Sequence, residues 1–227
     1  MVLKAENIKK SYSSNNDDSI LVLDSVSLTV NEGDYISILG SSGAGKSTFL
    51  NILASLDTFD SGSVKYIINK EEIDIFDLSD KKLSQVRSSH IGFIFQFHHL
   101  LPEFSAIENI LIPSLLINSD SKESKERAEY LIDKVGLYSR KKHRPSQLSG
   151  GEQQRIAIAR SLINKPKIIF ADEPTGNLDK TNSENILSII NNIQQELKMT
   201  FITATHSELV ASNSDKVYKI ESGKISN

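Results

Sequence analysis

The spacing of apolar residues changes several times along this 227-residue chain, and each change marks an element. Over residues 20–30, Leu21, Leu23, Val26, Leu28 and Val30 mostly alternate with polar neighbours, as a half-buried strand requires; residues 2–8 read the same way. The polar run 11–19 between them predicts a hairpin loop. Residues 35–39 form a short apolar strand ending at Gly40, and a Gly-rich turn and a helix over 47–55 follow. Strands are expected at 64–68, 72–75, 91–95, 167–171, 201–205 and 216–220. Helices are expected at 79–88, 122–135, 152–163 and 182–197. The third-to-fourth-residue spacing of Ala128, Leu131, Ile132 and Val135, and of Ile186, Ile189, Ile190, Ile193 and Leu197, carries two of them. Gly136 stops the first of these two. Strands alternating with helices imply an α/β fold around a parallel sheet.

Composition narrows the chemistry. There is no cysteine, so disulfides, thiol nucleophiles and iron–sulfur clusters are excluded. The net charge of −3 lacks the basic surplus of a nucleic-acid binder, and no nucleic-acid partner is expected. The longest apolar stretch, residues 110–117, is interrupted by Pro113 and is too short to span a bilayer. The first ten residues carry no apolar leader, so the expectation is a soluble chain without a signal peptide.

Gly40, Ser41, Ser42, Gly43, Ala44, Gly45, Lys46 and Ser47 match G-x-x-x-x-G-K-[ST] at every fixed position, with Thr48 next. The match lies after a buried strand and opens a helix. There, backbone N–H groups and the helix dipole gather phosphate oxygens. Lys46 adds a full charge, and Ser47 offers a hydroxyl to Mg²⁺. A chance match in a Gly/Ser loop would not bring this flanking context. Asp172 and Glu173 end the strand 167–171; Asp172 is placed to hold Mg²⁺ and Glu173 to polarise a water at the γ-phosphate. Alone they read as acids capping a strand; beside a phosphate loop they read as nucleotide hydrolysis.

Leu148-Ser-Gly-Gly-Glu-Gln-Gln-Arg155 resembles the signature of ATP-binding cassette (ABC) ATPases. Ser149, Gly150 and Gly151 form a donor-rich turn at a helix start, a second anion site; Ser149 with Glu152 also reads as a capping box. The resemblance implies two copies paired head to tail, each signature closing over ATP on the other's phosphate loop. It also implies that Gln96 contacts Mg²⁺ and water, that the loop from Gly176 to Asp179 crosses the dimer, that His206 touches the γ-phosphate, and that Tyr12 stacks on adenine from the loop. The catalytic set is then Glu173, His206, Lys46 and Gln96, the metal set Ser47, Gln96 and Asp172, and the cofactors ATP and Mg²⁺. The fold implied is a P-loop cassette in one domain: a RecA-like core with an antiparallel β edge, residues 1–95 and 165–227, and a helical subdomain, 97–164.

The segment 95–110, Pro113 and His143-Arg-Pro-Ser146 resemble the ATPase of lipoprotein-releasing transporters. The related macrolide-efflux and cell-division ATPases are the alternatives. The resemblance implies transmembrane permease subunits as separate chains and a peripheral place on the cytoplasmic face of the inner membrane. Phe97, Leu100, Leu101 and Phe104 are expected to form an exposed apolar patch facing that partner, against the alternative that they are core. His98 and His99 have no third ligand nearby, and the basic run 140–144 reads as a solvated face. A soluble cassette acting on DNA or ribosomes is disfavoured by the single cassette and by the short span between Gln96 and Leu148. A binder without turnover would lack Glu173 or His206.

Overall fold

The structure, a computed structural model, describes residues 1–13, 19–117 and 121–226. Two sheets organise it. Strands β1 (Leu3–Ser13), β2 (Ser19–Val30), β4 (Ser61–Ile68) and β5 (Glu71–Asp74) form an antiparallel sheet in the order β2-β1-β4-β5. The second sheet contains β3 (Tyr35–Leu39), β6 (Ile91–Ile94), β7 (Ile168–Asp172), β8 (Thr200–Thr205), β9 (Lys216–Glu221) and β10 (Lys224–Ser226) in the order β10-β9-β3-β8-β7-β6. It is parallel except for β10, which runs antiparallel to β9. Burial on both faces explains why β3 and β7 read as apolar runs rather than as alternation, and the threonines of β8 are buried with them.

The helices are α1 (Lys46–Leu53), α2 (Asp80–His90), α3 (Ala106–Leu115), α4 (Ser121–Lys134), α5 (Gly150–Ser161), α6 (Lys180–Leu197) and α7 (Glu208–Ala211). One apolar cluster joins α1 to both sheets; it includes Leu3, Ile8, Val26, Phe49, Leu50, Phe170 and Ile202. A second joins α3, α4, α5 and α6 to the other side of the parallel sheet; it includes Ile110, Leu131, Ile156, Ile190, Ile169 and Phe201. None of the described helices is long and apolar enough to cross a membrane.

Several sequence expectations shift. The alternation in β2 changes parity between Leu23 and Val26, where the pairing slips against β1 and Ser25 adopts a left-handed φ of 58°. A bulge there restores the buried face for Val26, Leu28 and Val30, and a separate slip between Leu23 and Leu21 leaves Leu21 exposed. Strand β1 continues past Ile8 to Ser13, with Tyr12 paired to Ile20, so Tyr12 stands in a strand and not in a loop. Residues 14–18 of the expected hairpin loop lie outside the described residues. Helix α3 contains Pro113, which the sequence reading took as a break. The proline sits in the last turn, so the one intrahelical bond it removes falls near the helix end and the preceding turns stay intact. The start of the helix is fixed by a capping box between Ser105 and Glu108.

Candidate nucleotide site

The loop from Gly40 to Gly45 leaves the end of β3 and enters α1, and two of its glycines are required by space. A Cβ on Gly40 would lie 2.5 Å from the carbonyl oxygen of Ile220. Gly45, the N-cap of α1, has a φ of 101°, and a Cβ there would lie 2.9 Å from the Val22 carbonyl oxygen. Gly45→Ala is therefore expected to lose about 1–3 kcal/mol of stability from backbone strain alone, and to weaken ATP binding because the loop must shift. Thermal unfolding and nucleotide titration measure the two effects.

A cleft of about 680 Å³ opens above this loop. It is lined by Val22, Ser41, Ser42, Gly43, Gly45, Lys46, Ser47, Thr48, Gln96, Glu173 and His206. Lys46 is buried; its Nζ donates to the Ser41 carbonyl oxygen at 2.9 Å and lies 3.9 Å from Glu173 Oε1. Ser47 Oγ donates to Asp172 Oδ1 at 2.9 Å. Burial raises the pKa of Asp172 from its ordinary value, and the neighbouring Glu173 charge adds to this. The Ser47 hydrogen bond and Lys46 act the other way.

Glu173 follows β7 with a left-handed φ of 43°, unusual for a residue with a Cβ. Its backbone is held there by a bond from its N–H to Ala204 O, 2.9 Å, and from Gly176 N to its carbonyl, 3.0 Å. Its carboxylate is 12% exposed and has a partner at each oxygen: His206 Nδ1 lies 2.8 Å from Oε1, and Thr205 Oγ1 donates to Oε2 at 3.1 Å. Gln96 reaches the cleft from the end of β6. It is paired both ways with Asn177, Nε2 to Oδ1 at 3.4 Å and Asn177 Nδ2 to the Gln96 carbonyl at 3.1 Å.

Four of the sequence candidates, Ser149, Gly150, Gly151 and Asp179, do not line this cleft. Ser149 caps α5: its backbone N–H donates to Glu152 Oε2 at 2.8 Å, and its Oγ accepts from Glu152 N at 3.3 Å. That leaves the N–H groups of Gly150 and Gly151, the first two helical residues, without an intrahelical acceptor. Ser149 and Gly150 are exposed. The N-terminal end of α5 thus faces solvent and does not line the chain's own phosphate-loop cleft. Asp179 caps α6, accepting from Asn182 N at 2.9 Å, and those bonds lower its pKa. Gly151 abuts α6: a Cβ there would lie 2.8 Å from Asn182 Oδ1. Tyr12 stands near the cleft's edge. Its hydroxyl donates to Asp57 Oδ2, and Lys10 Nζ lies 4.8 Å from the ring centre.

Val22, Asn177 and Thr205 were not singled out from sequence. Asn177 lies inside the quoted 176–179 segment and Thr205 directly precedes His206, so adjacency was the available signal. Val22 had none.

The expected apolar patch is confirmed with one correction. Phe97, Leu101 and Phe104 are exposed at 64%, 43% and 41%, but Leu100 packs against the second apolar cluster. Leu115 and Leu116, at 71% and 73%, are further exposed apolar residues. Behind this segment, Arg160 of α5 donates to the carbonyls of His99, at 2.7 Å, and His98, at 2.8 Å.

The family model described as ABC transporter matches residues 23–176. The lipoprotein-releasing system ATP-binding protein LolD of Cytophaga hutchinsonii is 48% identical over 99% of this chain and 98% of its own length. The protein of the same name from Saccharophagus degradans is 44% identical over 98% and 95%. Among solved structures, a dimeric ATP-binding cassette in a post-hydrolysis state bound to ADP and Pi superposes with a TM-score of 0.87. It has 35% identity, and the match covers 99% of this chain and 97% of that one.

Proposed function

We propose a working role for this chain from the premise that it belongs to the ABC transporter family, as its ATP-binding subunit. The chain is an ATPase of a membrane transporter. The role proposed is to power lipoprotein release from the inner membrane, from its cytoplasmic face, together with transmembrane permease subunits. The near full-length likeness to lipoprotein-releasing ATP-binding proteins supports this over macrolide efflux or cell division. The core of residues 1–95 and 165–227 and the helical subdomain of 97–164 are proposed as its two working parts.

The observation that carries the chemistry is the held carboxylate of Glu173 at the mouth of the phosphate loop. In the reading proposed, the loop amides and Lys46 receive the phosphates of ATP, and Tyr12 stacks on the adenine. Glu173 orients the attacking water and takes its proton. Lys46 and His206 stabilise charge on the γ-phosphate, as do Ser149, Gly150 and Gly151 of a second copy. The outward anion end of α5 supports the head-to-tail homodimer, and Asp179 would lie at its seam.

Ser47 Oγ and Asp172 Oδ1 are hard oxygen donors beside the loop. Such a set, completed by phosphate and water, suits Mg²⁺, which is rarely held in an all-protein cage. Ser47, Gln96 and Asp172 would hold it. When bound, Mg²⁺ supplies charge neutralisation and alignment of the phosphates.

The exposed apolar segment is the proposed permease contact. Replacing Phe97, Leu101 and Phe104 by polar residues is expected to leave the unfolding midpoint and basal ATPase near wild type and to reduce co-purification with membranes by about tenfold, on the scale of buried apolar anchors. A fall in thermal stability instead would make these residues core. The transport role is tested by co-purifying the chain with its permease subunits in proteoliposomes. ATP-dependent lipoprotein release is expected. No release, with ATPase stimulated by a macrolide, would favour efflux.

A further inference from the structure

We propose that Thr205 is a positioning residue for ATP hydrolysis, its buried hydroxyl fixing which oxygen of Glu173 faces the nucleotide. The inference rests on the reading of Glu173 as the base.

Thr205 ends β8 and is fully buried. A valine would fill the same β-branched shape in a buried strand without a polar atom to satisfy, so the hydroxyl itself calls for an explanation. It has one proton and accepts through its lone pairs. Ser207 N donates to Thr205 Oγ1 at 3.0 Å, and Glu173 Oε2 lies 3.1 Å away. A backbone N–H can only donate and an ionised carboxylate can only accept. The direction of both bonds is therefore forced, and the single proton of Thr205 points at Glu173.

Two consequences follow. Oε2 is committed to the protein interior, which leaves Oε1 on the side of Lys46 and His206. Glu173 is also tied at both ends to consecutive residues of β8, its N–H to Ala204 O and its carboxylate to Thr205. A side chain with several rotatable bonds on a left-handed backbone is thereby reduced to one pose. The same hydroxyl receives the N–H of Ser207, so the base and the segment bearing His206 share one anchor.

The test compares Thr205→Val and Thr205→Ala, which lack the hydroxyl, with Thr205→Ser, which keeps it, and with Glu173→Gln, all in the full chain with Mg-ATP. In the first two, kcat is expected to fall about tenfold, within the range for a hydrogen bond to a charged group, while KM for ATP stays within about twofold. Thr205→Ser should restore the rate. A merely structural role would lower the unfolding midpoint and change KM together with kcat. If the hydroxyl-free variants keep wild-type kcat while Glu173→Gln is inactive, Thr205 has no positioning role. If Glu173→Gln itself turns over normally, the base assignment falls and this inference with it.

Discussion

Glu173→Gln is expected to bind ATP with near wild-type affinity, to lose about 10²–10⁴-fold in hydrolysis, the range for a positioned general base, and to accumulate as an ATP-bound dimer. The amide keeps the size of the side chain and can still accept from Thr205, so the pose survives in part. What is lost is the capacity to take a proton from water. Binding is spared because the phosphate contacts come from the loop amides and Lys46. Single-turnover kinetics and size-exclusion chromatography with ATP read the two halves. A variant that hydrolysed ATP normally and remained monomeric would refute both the base and the paired arrangement.

The second large effect concerns the separation of the two anion sites. Ser149→Asp is expected to fold normally, because aspartate is as good an N-cap as serine. It places a negative charge where a phosphate of the neighbouring copy is proposed to sit. Two like charges ~4 Å apart repel by about 4 kcal/mol at an effective dielectric near 20, enough to reduce turnover by about a thousandfold. Lys46→Ala loses a charge-assisted contact of about 1.5–3 kcal/mol and should be inactive through failed binding. Mixing the two inactive proteins gives a sharper result. In a head-to-tail mixed dimer one composite site carries both lesions and the other carries neither. The mixture should therefore turn over ATP well above either protein alone. No recovery, with mixed dimers demonstrated by cross-linking, would mean that α5 does not complete its neighbour's site.

Much of this architecture is legible in the sequence where the signal is local. The phosphate loop is contiguous, and its flanks, an apolar run and a helical period, follow from burial. The signature turn is legible because a capping box occupies four consecutive residues. The limits are equally physical. The bond between Thr205 and Glu173 spans 32 residues and depends on β7 and β8 being neighbours; no spacing rule encodes that. Tyr12 lies in a run of small polar residues that also suits a turn, and only pairing with β2 reveals it as strand. Leu21 fits the alternation but is turned outward by a slip in the pairing with β1 between Leu23 and Leu21, which no residue there announces. Helix α3 was hidden because a proline speaks against a helix unless its distance from the end is known. Leu100 and Leu101 are identical in type, and only the packing of the second apolar cluster decides which one faces out.

The fork of Arg160 gives helix α5 a mechanical character. Its guanidinium grips two successive carbonyls at 98 and 99, close to the exposed apolar residues, while Ser149 lies at the opposite tip. Twelve residues of α-helix span about 18 Å and resist compression far better than a loop does. Pressure applied to the 97–104 segment would then reach the far tip as tilt of a stiff rod, arriving at Ser149 as displacement without any chemical signal between. Such a linkage runs equally well in reverse, so closure at the tip would push outward on whatever rests against Phe97 and Phe104.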